Sequence, residues 1–141
     1  MTDMSTIGSL PVAVLSGAPV ACVDPGATLL EVADALRAAG VGALVVGDAD
    51  HPLAIITERD LAGALADRRD PARATAGDVA HRSLVWCDAD AVVADVAELM
   101  MERYVRHVLV EDEGRLVGVV SARDLLGAYA TEDQAAAAVD D

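Results

Sequence analysis

The chain has 141 residues, 54% of them hydrophobic and 2% aromatic, with no Phe; its ten basic residues, all Arg, face 24 Asp and Glu for a net charge of -14. That length fits one compact domain or two small halves sharing a core, and the apolar share excludes global disorder. The acidic balance argues against nucleic acid, whose phosphates need a clustered basic surface, and against anionic membranes.

In chain order, the start Met1-Thr2-Asp3-Met4 lacks the basic opening of a secretory signal. Pro11 to Ala21 is apolar but broken by Gly17 and Pro19, and no segment holds the roughly 18 uninterrupted apolar residues of a membrane span. A short strand is expected at Val20–Val23, then the turn Asp24-Pro25-Gly26. Thr28 and Glu31 make a capping box for a helix with Leu29, Val32, Ala33 and Leu36 on its apolar face, ended by Gly40. Strands Ala43–Val46 and Leu53–Ile56 follow, joined by the polar turn Asp48-Ala49-Asp50, and a helix begins at Thr57.

The same order then recurs. A shift of 64 residues aligns Val20–Leu65 with Leu84–Tyr129 without a gap, with 12 identities in 46 positions. Among them are Asp24 with Asp88, Val46 with Val110, and Arg59-Asp60-Leu61 with Arg123-Asp124-Leu125. The second copy therefore reads as strand Leu84–Cys87, a helix carrying Val93, Val96, Ala97 and Met100, strands Val108–Val110 and Leu116–Val120, and a helix from Ser121. Thr6-Ile7-Gly8 resembles Thr75-Ala76-Gly77 five further residues out of register, which hints at an earlier start of the repeat. The expected division is 1–66 for the first repeat with its lead-in, 67–74 as linker, 75–130 for the second repeat and 131–141 as a tail. The fold class is mixed α/β (α+β), two β-α-β-β-α units packed with pseudo-twofold symmetry, because neither unit alone covers both faces of its sheet.

Two features carry chemistry. Thr57-Glu58-Arg59-Asp60 is mirrored by Ser121-Ala122-Arg123-Asp124 where a strand hands over to a helix. A hydroxyl followed three residues later by an acid is an N-terminal cap. It is also a pattern that can serve a nucleotide: the helix N-terminus offers N–H donors and a positive dipole to phosphate, and the carboxylate accepts from ribose hydroxyls. Spacing alone leaves both readings open. The second feature is Tyr104-Val105-Arg106-His107, which stands where the first repeat has Gly40-Val41-Gly42-Ala43. Arg106 and His107 read either as phosphate contacts or as a solvated strand entrance. His51, His81 and His107 show no metal-ligand spacing, no nucleophile elbow or phosphate-binding loop is present, and no acid–base pair stands out, so an enzyme is not expected. Trp86 reads as core or interface, and Cys22 and Cys87 as small apolar strand residues in a reduced, cytoplasmic setting.

From about Thr6 to Tyr129 the chain resembles a tandem pair of CBS domains, a Bateman module. The likeness rests on the duplicated element order, Val105-Arg106-His107-Val108-Leu109-Val110, Arg115-Leu116-Val117-Gly118-Val119-Val120, the closing Ser/Thr-x-x-Asp motifs, and Thr75-Ala76-Gly77-Asp78-Val79 as the short helix leading into a second unit. The resemblance implies a regulatory module for adenosine-containing ligands (AMP, ADP, ATP or S-adenosylmethionine), with no cofactor required for chemistry. It places Ser121, Arg123 and Asp124 opposite Ala21, Val41, Gly42 and Ala43, and Thr57, Arg59 and Asp60 opposite Val85, Val105, Arg106 and His107. Leu109 stands where the family often has proline, and no ring-stacking aromatic is present. The implied partners are a nucleotide, a second copy of the chain as homodimer and an unidentified protein effector, with output between molecules because no effector domain accompanies the pair. The alternative is a dimerisation or scaffold module that binds no ligand.

Overall fold

The computed structural model describes residues 7–16 and 20–140, with the side chains of 132–140 excepted. The chain forms two compact units: one joins the N-terminal segment to Val85–Asp141, the other is Pro19–Leu84. Each is built on its own three-stranded sheet, in a mixed α+β arrangement.

In the unit Pro19–Leu84, β1 (Cys22–Val23) pairs in parallel with β2 (Ala43–Gly47), which pairs antiparallel with β3 (Pro52–Thr57). Helix α1 (Leu29–Ala39) crosses between β1 and β2, and α2 (Glu58–Ala66) leaves β3 directly. The predicted capping box is formed, with Thr28 Oγ1 accepting from the Glu31 N–H and the Glu31 carboxylate accepting from the Thr28 N–H at 2.9 Å. Gly40 closes α1 with φ 68°, a left-handed turn that costs glycine nothing. Leu29, Val32, Leu36, Leu44, Val46, Ala54 and Ile56 form the core between helix and sheet.

The other unit repeats this order and register at a shift of 64 residues, although its crossing helix has Val92 at the N-cap and no side-chain cap. Strands β4 (Trp86–Asp88), β5 (His107–Asp112) and β6 (Arg115–Ser121) pair in the same order and sense, with α4 (Val93–Arg103) crossing and α5 (Ala122–Asp140) following. Cys22 pairs with Val45 and Trp86 with Leu109; Ala43 pairs with Thr57 and His107 with Ser121. Even the register irregularity recurs, between Val46 and Gly47 and between Val110 and Glu111. At Gly47 (φ 111°) a Cβ would stand 2.5 Å from the His51 carbonyl, so glycine is required there. The core is Val93, Val96, Met100, Val108, Val110, Val120 and Leu125. The tail segment continues as helix, α5 running through Asp140.

The compact units cut across the segments drawn from the sequence, because each repeat is completed by the lead-in of the other. Helix α3 (Ala76–Val79) lies on the first repeat: the Ala76 N–H donates to the Ala27 carbonyl at 2.8 Å and the Leu29 N–H to the Ala74 carbonyl at 3.0 Å. The N-terminal segment does the same on the second repeat, Val12 donating to Ala91 at 2.7 Å and Val93 donating to Leu10 at 2.9 Å. Each lead-in is thus a strap that closes the open edge of the α-helical layer with an apolar plug, Val12 or Ala76, both fully buried.

These contacts correct the register proposed for the lead-ins. The match is Pro11-Val12-Ala13 with Thr75-Ala76-Gly77 at the same shift of 64, not Thr6-Ile7-Gly8, of which Thr6 lies outside the described residues. The two straps share an extended backbone at Pro11 and Thr75 and a buried plug after it, and neither property demands a shared side chain. Among the described residues no helix is long and apolar enough to cross a membrane.

Candidate functional site

The two Ser/Thr-x-x-Asp motifs both form helix caps. Thr57 Oγ1 accepts from the Asp60 N–H at 3.2 Å, and Asp60 Oδ2 accepts from the Thr57 N–H at 2.8 Å and from its hydroxyl at 3.1 Å. In the second motif Ser121 Oγ accepts from the Asp124 N–H at 3.0 Å, and Asp124 Oδ2 accepts from the Ser121 N–H at 2.8 Å. In both boxes these hydrogen bonds engage one carboxylate oxygen, Oδ2, and leave Oδ1 for a further donor.

The strand entrances are fastened to these helix starts. The Glu58 N–H donates to the Gly42 carbonyl at 3.0 Å, and the Ala122 N–H donates to the Arg106 carbonyl at 2.8 Å. Within each unit the structure therefore gathers the predicted residues at one end of the sheet. One group is Val41, Gly42 and Ala43 with Thr57, Arg59 and Asp60; the other is Val105, Arg106 and His107 with Ser121, Arg123 and Asp124. Ala21 and Val85 join the same ends, each accepting a β-ladder hydrogen bond, from the Val45 N–H at 3.0 Å and the Leu109 N–H at 2.8 Å. Arg59, Arg106 and Arg123 are exposed, while Ala43 is buried.

His81, which the sequence reading set aside for want of metal-ligand spacing, belongs to the first group. Its Nδ1 lies 3.1 Å from Asp60 Oδ2. The residue sits just after α3, and no local motif marks it.

Other chemistry is sparse. A shallow depression lined by Cys22, Asp24, Asp48, His51 and Leu53 lies at the opposite end of the first sheet and contains none of the predicted residues. Among the described residues no group of three or more His, Cys, Asp or Glu is placed to hold a metal ion. Burial, then the Asp88 and Glu111 carboxylates, push the Cys87 thiol up to about 11; desolvation and Asp48 raise that of Cys22. Both sulfurs are therefore protonated near neutral pH and poor nucleophiles.

The sequence pattern of the CBS domain matches residues 12–67 and 76–131. The chain belongs to the CBS-domain family. Hypoxic response protein 1 of Mycobacterium tuberculosis is 38% identical over 113 residues, covering 79% of each chain. A CBS domain protein from Pyrobaculum aerophilum, solved in complex with AMP, is 32% identical with a TM-score of 0.74, over 86% of this chain and 99% of that one. The crystal structure of Hypoxic Response Protein I with two coordinated zinc ions is 35% identical with a TM-score of 0.69, over 83% of this chain and 97% of that one. The family pattern begins at Val12 and resumes at Ala76, the two strap plugs.

Proposed function

We propose that this CBS-domain pair is a regulatory module, without catalysis of its own, that binds an adenine nucleotide and reports it to a protein partner. Both Ser/Thr-x-x-Asp boxes are intact, each leaves a carboxylate oxygen for a ribose hydroxyl, and each stands at a helix N-terminus where N–H donors and the dipole favour phosphate. That duplicated box is the observation that carries the reading, and the AMP complex of a relative 32% identical supports it. The residues proposed to serve the nucleotide are Ala21, Val41, Gly42, Ala43, Thr57, Arg59 and Asp60 in one unit and Val85, Val105, Arg106, His107, Ser121, Arg123 and Asp124 in the other. Differential affinity for two states of the module would pass the signal on, in a cytoplasmic homodimer.

The caps themselves favour the second reading, a scaffold module, since every box already has an internal role. Thermal shift with AMP, ADP, ATP and S-adenosylmethionine separates the two. A true ligand raises the melting temperature by mass action. Asp60→Asn and Asp124→Asn, which keep an acceptor for the cap, each remove the part of the shift that belongs to one site. A panel in which no ligand stabilises the wild type leaves the scaffold reading.

A further inference from the structure

Among the described residues, the first box has a partner that the second lacks. His81 Nδ1 and Asp60 Oδ2 stand 3.1 Å apart, with the side chains 45% and 21% exposed. The backbone of His81 is fixed, because it exchanges hydrogen bonds of 3.0 and 3.1 Å with Ile55 on β3. The imidazole thus becomes a third donor to an oxygen that already accepts from the N–H and hydroxyl of Thr57. Sixty-four residues before His81 stands Gly17, which has no side chain to offer Asp124.

We propose that His81 makes the Thr57–Asp60 site proton-linked: an anionic nucleotide bound there draws a proton onto His81, and one bound at Ser121–Asp124 does not draw it. The inference rests on the nucleotide reading above and assigns a regulation to one of its two sites. With a neutral imidazole, the Asp60–His81 pair presents one net negative charge to an incoming phosphate. With a protonated ring the pair is neutral, and the positive end of α2 is no longer opposed. Histidine is the side chain that changes charge near neutral pH. An anion beside the ring favours its charged form, so proton and ligand promote each other by the same factor.

The charged neighbours are few. Helix α2 contributes Asp60, with Glu58 and Arg59 in the same turn. The strap contributes Arg82 and Asp78, the latter paired with Arg69 at 3.7 Å. Strand β3 carries no ionisable side chain. Of the other histidines, His51 pairs with Asp48 at 3.5 Å at the far end of β3, and His107 stands at the β5 entrance.

Titration calorimetry with AMP, in two buffers of different ionisation heat near pH 7, counts protons taken up per ligand. The decisive quantity is the difference between proteins, which cancels the titration of the AMP phosphate itself. Asp124→Asn, retaining the first site, takes up a substantial fraction of a proton more than Asp124→Asn/His81→Gln, whose glutamine carries no titratable group. AMP affinity of the single variant tightens severalfold more between about pH 8 and pH 6 than that of the double variant. Uncharged adenosine gives a much smaller difference between the two. Equal uptake in the two proteins overturns the inference, as does uptake that disappears with His107→Gln and persists with His81→Gln. Where AMP does not bind, ADP or ATP takes its place in the same comparison, and failure of the wild type to bind any member of the panel at any pH overturns the nucleotide reading and this inference with it; binding without the His81-dependent uptake overturns this inference alone.

Discussion

The two units carry one backbone and two sets of side chains. Sheet register, the irregularity in the central hairpin, the strap bonds and the bond from helix start to strand entrance recur at a constant shift of 64 residues. The side chains laid on that frame diverge where a ligand would sit. The first unit has Gly42 and Ala43 at its strand entrance and a histidine on its cap; the second has Arg106 and His107 at the entrance and, among the described residues, no histidine on its cap. Main-chain geometry is held by hydrogen bonding and core packing, which many small apolar residues satisfy equally well. Duplicated units can therefore diverge in their side chains while the fold stays the same.

The largest difference to test is in the cores. Val12 plugs the second repeat with a side chain and Ala76 plugs the first with a single methyl, yet both are fully buried. Val12→Ala removes two methyl groups from the core that Val12 shares with Val93 and Val96, and is expected to cost about 2 kcal/mol in urea denaturation. Ala76→Val overpacks the other strap by a comparable amount, because the adjacent Gly77 already lies against the Pro25 carbonyl. The loss from Val12→Ala should appear in hydrogen-exchange protection of α4 and β5, that from Ala76→Val in α1 and β2. A mutation whose loss falls on the wrong repeat would refute the exchanged-strap arrangement.

The straps also show where sequence reading succeeds and where it stops. The β-α-β-β-α order was legible because apolar periodicity and the caps at Thr28, Thr57 and Ser121 are local, and duplication printed each signal twice. The candidate residues at the strand entrances and boxes were named through the family pattern; within each unit the structure sets a strand entrance beside the box of its own repeat, and their service to a ligand is the proposal made above. The strap register was not, since Pro11 and Thr75 share a backbone conformation but no chemistry. His81 was invisible for a related reason: its role depends on a strap folding back 21 residues to Asp60, a long-range contact that no periodicity announces.

A smaller effect compares the caps. Thr57→Ala and Ser121→Ala each remove a side-chain acceptor at an N-terminus, expected to cost about 1 kcal/mol. Thr57 also donates its hydroxyl to Asp60, in a network that includes His81. Thr57→Ala should therefore cost more than Ser121→Ala, and the excess should shrink when His81 is replaced by Gln, as a double-mutant cycle reads directly. Additive effects would mean that the His81 pair is independent of the cap.

The smallest expected effect lies at the ends of the crossing helices. Both α1 and α4 close on a left-handed residue, Gly40 at φ 68° and Tyr104 at φ 56°. The turn is the same; only glycine enters it without crowding its own Cβ, at a cost for other residues of roughly 1–2 kcal/mol. Tyr104 is 94% exposed, so it gains no burial in exchange. Gly40→Ala should therefore destabilise the protein by about 1 kcal/mol. Tyr104→Gly should leave stability unchanged or raise it by up to about 1 kcal/mol, the relief of strain being partly offset by the greater freedom of glycine in the unfolded chain. Opposite signs for the two substitutions in urea denaturation would confirm that the second unit tolerates strain at Tyr104. A marked loss from Tyr104→Gly would instead mean that the exposed ring is engaged, since it is 94% exposed among the described residues.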